Sequence, residues 1–249
     1  MAEADGDEGG VDRDFLLVLV PTEFESERLA SLGPLLPSHR LHCQVICGFG
    51  PISAAARATE RVMAIGPDRV LLVGIAGTYD PESLAVGTAC EFGNVVCDGV
   101  GVGLGARHRS AAELGWHQVG PPRLIGQGPS TRNGRFGPSR EIIELPTDDR
   151  NVDPIHRRRN PALSSGPGLL TVCAASATPE EARLRRTRHP AAKAEDMEGF
   201  GVALACERLG TPLRIVRGIS NVAGDRRQGG WKVDEALAAA VALIRRMEA

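Results

Sequence analysis

The sequence predicts an α/β fold, a single domain with a mixed, mostly parallel central sheet flanked by helices. Three observations carry this. Short apolar runs such as Phe15-Leu-Leu-Val-Leu-Val20, Arg69-Val-Leu-Leu-Val-Gly74 and Leu169-Leu-Thr-Val-Cys173 show no polar alternation, the pattern of strands covered on both faces. Stretches of helical length separate them, most clearly about Ile52 to Ile65 and Val233 to Met247, and strands interleaved with helices build parallel sheets. Glycines or short polar groups follow the apolar runs directly, as at Gly74 to Thr78 and Gly218 to Asn221.

In chain order, Met1 to Asp14 holds six acids and one Arg, which predicts a disordered acidic tail and no secretory signal. Residues 15–249 form the domain. Pro21-Thr22-Glu23 ends the first strand and a polar helix follows. Gln44-Val-Ile-Cys-Gly48 is a second strand, and Gly48-Phe-Gly-Pro51 leads into an Ala-rich helix. The third strand starts at Arg69 and gives way to a Gly74-Ile-Ala-Gly77 turn. After Leu169 to Cys173 come a helix from Pro179, a second helix near Met197 to Leu209, the strand Leu213 to Arg217 and the C-terminal helix. The stretch from about 100 to 166 breaks this rhythm. It is rich in Gly, Pro, Ser and Arg, with small charge clusters at Asp148-Asp149 and Arg157-Arg-Arg159, and reads as an insertion.

Composition narrows the function. With 249 residues the chain can bury a large core without staples. A net charge of −2 lacks the basic excess of a nucleic-acid footprint. No apolar run approaches the roughly 20 residues of a spanning helix, so no membrane partner and a cytoplasmic location are expected. The six cysteines show no zinc spacing, and small buried thiols in a reducing compartment are the reading. Gly101-Val-Gly-Leu-Gly-Ala106 matches a dinucleotide fingerprint in form only, since no βαβ helix follows it. No metal or organic cofactor is implied.

In open parallel sheets ligands bind beyond the carboxyl ends of the strands. Those ends deliver Glu23, the glycines at 74 and 77, and Ser220-Asn221. A helix capped by Asp196 brings Met197 and Glu198 in its first turn. Each has a plain structural alternative. Glu23 and Glu198 suit the dipole of a helix start, and Ser-Asn pairs populate turns. Gly199 and Gly201 weaken a helix by up to about 1 kcal/mol each, which points to close packing or a nearby ligand.

An ordered set of motifs then stands out: Gly48-Phe-Gly50, Val73-Gly-Ile-Ala-Gly77, Leu84-Ala-Val-Gly87, Asp196-Met-Glu198 and Val216-Arg-Gly-Ile-Ser-Asn221. Together they resemble the purine nucleoside phosphorylase and nucleosidase superfamily over most of Phe15 to Arg246. The segments 195–201 and 218–225, followed by Trp231-Lys232, look most like its futalosine hydrolase branch, which cleaves hypoxanthine from futalosine in menaquinone biosynthesis. The resemblance implies a nucleoside phosphorylase-like fold, a small nucleoside substrate and a homo-oligomer. It implies that Glu23 activates water, and that Met197 and Glu198 hold the ribose. It further implies that Ala76 and Gly77 line sugar and base, and that Ser220 and Asn221 face the base, within the motif that carries Arg217. Asp225 is a candidate helper in protonating the base, and Phe200 a candidate stacking ring.

Asn221 is the informative departure, because adenosine-type members carry Asp there. An amide NH₂ can donate to both N7 and O6 of a 6-oxopurine, whereas a carboxyl group suits a 6-aminopurine. The loop after the first strand lacks the glycine and arginine with which phosphorylases hold phosphate. The alternatives are a 6-oxopurine nucleoside phosphorylase, a 5′-methylthioadenosine/S-adenosylhomocysteine nucleosidase, and a non-enzymatic purine nucleoside-binding protein.

Overall fold

The first strand, β1 (Leu16–Val20), is buried along its whole length because both faces of its sheet are covered. Leu16, Val18 and Val20 point into one apolar cluster, and Leu17 and Leu19 into another. This is why the run shows no alternation. The computed structural model describes residues 14–120, 141–145, 166–227 and 229–249. On either side of β1, and parallel to it, lie β2 (His42–Ile46) and β3 (Arg69–Thr78).

The rest of the sheet adds β4 (Ala89–Phe92), β5 (Asn94–Cys97), β8 (Ile142–Glu144), β9 (Gly168–Thr171), β10 (Ala192–Asp196) and β11 (Leu213–Val222). A separate two-stranded ribbon pairs β6 (Gly101–Val102) with β7 (Arg109–Ser110). The main order is β2-β1-β3-β10-β9-β5-β8. Parallel to β3, β11 runs along one whole edge of it, with β4 antiparallel outside. The other edge of β3 is divided, β1 pairing Arg69 to Leu72 and β10 pairing Gly77 and Thr78. The sheet therefore forks at the end of β3, and a fork of this kind is where a crevice opens.

The helices are α1 (Glu23–Ser31), α2 (Pro51–Ile65), α3 (Pro179–Arg188), α4 (Gly199–Leu209) and α5 (Val233–Met247). In α5, Ala236, Leu237, Ala240, Val241 and Ile244 recur at helical spacing and cover one face of β1 and β3. The other face is covered by Ala54, Ala58 and Val62 of α2 together with Phe200 to Cys206 of α4. Gly201 makes that second layer tight, since a Cβ there would lie 2.2 Å from the Pro51 carbonyl oxygen. This answers the question the helix glycines posed: they serve close packing. Among the described residues, no helix is long and apolar enough to cross a membrane.

Several expectations need correction. Residues 74–77 and 218–221 are not turns; they lie inside β3 and β11, where their neighbours hold them in the ladder. Asp196 is not a helix N-cap but the last residue of β10, a strand whose five residues gave no long apolar run. The acidic tail does not include Asp14, whose carboxylate accepts from Arg69 Nη2 at 2.6 Å and Arg40 Nη1 at 2.8 Å. The expectation for residues 1–13 lies outside the described residues. Within the stretch from 100 to 166, β8 joins the sheet edge beside β5, while Asp148-Asp149 and Arg157-Arg-Arg159 lie outside the described residues.

Candidate active site

At the fork, Arg217 of β11 is wholly buried, and three carboxylates surround it. Its Nε and Nη2 donate to Asp196 Oδ2 at 3.1 and 2.5 Å. Nη2 also reaches Glu198 Oε2 at 3.3 Å. The remaining Nη1 has no hydrogen-bond partner among the described residues. A Cβ on Gly74 would fall 2.3 Å from Nη1 and 2.7 Å from Glu25 Oε1. Both atoms therefore lie against the bare Gly74 backbone, and only glycine leaves them that room.

Glu25 enters from α1. Thr22 caps that helix by accepting from the Glu25 N–H at 3.2 Å, and its hydroxyl donates to Glu25 Oε2 at 2.5 Å. The other oxygen, Oε1, accepts from the Ile75 N–H at 3.0 Å. Glu198 enters from the junction of β10 and α4, with Oε1 accepting from the Gly50 N–H at 3.0 Å. Gly50 has φ of 87° and begins α2, so a helix N-terminus faces the carboxylate.

Glu25, Asp196 and Glu198 are all at most 5% exposed. One guanidinium beside three carboxylates leaves excess negative charge in a dry place, which is costly. Burial accordingly pushes Glu198 up to about 7; the nearby Arg217 opposes the shift and Asp196 adds to it. Burial also holds the neighbouring Cys47 thiol neutral, at about 12.

The amide end of the site rests on a bulge. The pairing of β11 with β3 matches Ile219 to Ala76 and Asn221 to Gly77, leaving Ser220 over. The Ser220 hydroxyl donates to Asn221 Oδ1 at 2.9 Å, and Asn221 Nδ2 donates to the Val222 carbonyl at 2.9 Å. With one N–H of Nδ2 engaged, the free donor of this side chain is the second N–H of Nδ2. That nitrogen would stand 3.3 Å from a Cβ on Gly77.

Most of the predicted residues gather here: Arg217, Glu198, Ser220, Asn221, Ala76 and Gly77. Met197 lies half-buried against the cluster of Tyr79, Val172 and Ala223. Three do not fit their expected roles. Glu23 is exposed and lines an open groove of about 980 Å³ with Ser26, Gln44, Cys47 and Gly48. Helical residues advance about 100° each, so Glu25, two positions on, faces inward where Glu23 cannot. Phe200 is a core side chain, packed beneath the sheet with Leu17 and Leu19. Asp225 pairs with Arg227 on the surface, and the hydrogen bonds from Arg227 hold its carboxyl down to about 2, where it is no acid.

Glu25 and Thr171 escaped the sequence reading, while Gly50 and Asp196 entered it only as parts of motifs and, for Asp196, as a helix cap. A signal for Glu25 was present, because Thr22-Glu-Phe-Glu25 has the S/T-x-x-E form of a capping box.

The fold and this cluster define a buried, charged small-molecule site, and comparison with known proteins gives its class. The profile described as "Phosphorylase superfamily" matches residues 156–249. Futalosine hydrolase of Streptomyces coelicolor is 34% identical over 198 residues, 77% of this chain and 72% of that protein. Futalosine hydrolase of Thermus thermophilus is 30% identical over 200 residues, 80% of this chain and 78% of that one. A 5′-methylthioadenosine/S-adenosylhomocysteine nucleosidase from Colwellia psychrerythraea, solved in complex with adenine, superposes with a TM-score of 0.65. It covers 93% of this chain and 94% of its own at 19% identity, a likeness of fold. The chain belongs to the nucleoside phosphorylase and nucleosidase superfamily and, within it, to the family of the futalosine hydrolases.

Proposed function

We propose that this chain hydrolyses the N-glycosidic bond of futalosine, releasing hypoxanthine, in menaquinone biosynthesis. The observation that carries the reading is the charge of the site, three buried carboxylates around one guanidinium. A phosphate nucleophile would meet net negative charge there, whereas neutral water would not. The same charge favours a ribose that becomes cationic as its bond to the base breaks.

In this reading Glu25, not Glu23, takes a proton from water held between its Oε1 and Arg217 Nη1. The water oxygen bonds to the anomeric carbon as the bond to the purine nitrogen breaks, and the bonding pair leaves with the base. Glu198 in its ionised form accepts hydrogen bonds from the ribose hydroxyls. Asn221 Nδ2, with one N–H held by the Val222 carbonyl, donates its other N–H to N7 of the departing purine anion, one donor where the sequence suggested two, and Ser220 holds the amide in that sense. A cytoplasmic location and a homo-oligomer go with the reading, and the exposed Phe49, Ile52 and Met63 supply an apolar surface for a second copy.

The test is chromatography of free base released from futalosine, aminofutalosine, methylthioadenosine and inosine, with and without phosphate. Hypoxanthine from futalosine, indifferent to phosphate, is the expected result. Asn221→Asp is expected to move preference toward the 6-amino substrates. Adenine release by the unaltered chain favours the second reading, a methylthioadenosine-type nucleosidase, and phosphate-dependent cleavage of inosine overturns hydrolysis.

A further inference from the structure

We propose that Asp196 and Thr171 form a positioning pair that aims Glu198 and Arg217 at the reacting atoms without touching the substrate. The proposal rests on the hydrolytic reading above, in which those two side chains do the chemistry.

Helix α4 shows the first half of the device. Its N-cap residue is Glu198, which makes no capping bond with its own side chain. Helix N-caps ordinarily use the side chain for that purpose, since the first N–H groups have no partner inside the helix. Here the task passes to two residues outside α4. Asp196 Oδ2 accepts from the Gly199 N–H at 2.8 Å, and Thr171 Oγ1 accepts from the Phe200 N–H at 2.8 Å. Glu198 is thereby released, and its two oxygens reach the Gly50 N–H and Arg217 instead.

Arg217 shows the second half. Asp196 Oδ2 takes both Nε and Nη2, the donors along one edge of the guanidinium. A planar fork held along one edge has its remaining donors fixed in direction. Nη1, which has no partner among the described residues, is consequently set against Gly74 and Glu25. Asp196 is fixed in turn by the Thr171 hydroxyl, which donates to Oδ1 at 2.6 Å. Thr171 is fully buried at the end of β9, so β9, β10, β11 and α4 are tied at one point.

The pair also sets the electrostatics of Glu198. The groups that face it are Arg217 from β11, Asp196 from β10, Glu25 from α1, the Gly50 N–H at the start of α2 and the Cys47 thiol after β2. Changing Asp196 to Asn keeps a carbonyl oxygen for Arg217 and Gly199 and withdraws one negative charge from beside Glu198.

The experiment compares the full chain with Asp196→Asn, Thr171→Val and Thr171→Ser. Carbon-13 NMR follows the Glu198 carboxyl through its titration, assigned by its loss in Glu198→Gln. Steady-state base release gives kcat, KM and the pH profile. Asp196→Asn is expected to lower the Glu198 titration midpoint by about 1 pH unit and to cut kcat by about 10²-fold with a smaller change in KM. Thr171→Val should cut kcat less, and Thr171→Ser should restore it by returning the hydroxyl. A Glu198 titration unmoved by Asp196→Asn, or equal kcat in the Val and Ser variants, reduces the pair to a structural clamp and overturns the proposal. Should the unaltered chain release no base from any nucleoside, the hydrolytic reading falls, while the titration still decides the pair.

Discussion

Glu23 and Glu25 stand two residues apart in one helical turn and have opposite surroundings. Glu23 looks out onto an open groove. Glu25 is buried, with one oxygen on the Ile75 N–H and the other on the Thr22 hydroxyl. Only the second can hold a water against Arg217. Glu25→Gln is therefore expected to lower kcat by about 10²–10⁴-fold, the usual contribution of a general base. Glu23→Gln should leave kcat where it is. Steady-state rates of the two variants check this directly, and the reverse ranking would return the role to Glu23. The choice between them was half legible in the sequence. The motif fixed an acid just after the first strand, and the helical period left open which acid turns inward.

At the scale of elements, the contact between α2 and α4 matters most. Gly201 presses its bare backbone against Pro51, and this closeness brings the Gly50 N–H within 3.0 Å of Glu198. Gly201→Ala forces a methyl group into the Pro51 carbonyl, so the two helix starts must separate. A loss of about 1–3 kcal/mol is expected, as for other overpacked cores, and KM should rise because Glu198 loses its backbone donor. Urea unfolding and substrate titration measure the two effects. An unchanged KM alongside the lost stability would show that the helix contact and the ribose site are independent. Helix α2 was readable nearly to the residue from its Ala-rich run and from Pro51 and Gly66 at its ends. Strands β4, β5 and β10 were not, because short or partly polar strands owe their form to their neighbours in the sheet.

For the whole molecule, the buried charge of the site links activity and stability to pH. Glu198 titrates at about 7 in the folded chain against 4.5 for a free carboxyl group. The folded form thus holds a proton that the unfolded chain releases. Stability from this group is complete below about pH 4.5 and is lost as the pH rises through about 7. Activity moves the other way, since ionised Glu198 is the form that accepts the ribose hydroxyls, and kcat/KM should climb through the same window. Urea midpoints at about pH 5 and about pH 8, compared between the unaltered chain and Glu198→Gln, test the first effect. The variant should lose the fall between the two values, and a fall that persists assigns it to another group.

By itself the sequence determined the fold class, the order of the main strands and helices, and the presence of Glu198 at a helix start and of Arg217 and the Ser220-Asn221 pair in the segment around one strand. These follow from local patterns: apolar runs long enough for a buried strand, helical spacing in α2 and α5, and glycines where no side chain fits. It also carried the motifs that place the chain in its family. The tertiary structure alone decided which acid faces Arg217, why Gly74 must be bare, and that Asp196 belongs to a strand and holds the guanidinium. It also showed Phe200 to be core and Asp225 to be paired on the surface. Each of these depends on which residues far apart in the chain are brought together at the fork of β3, where β10 and β11 meet. No local period or propensity encodes that meeting, because it is set by how the whole sheet closes around one buried charge.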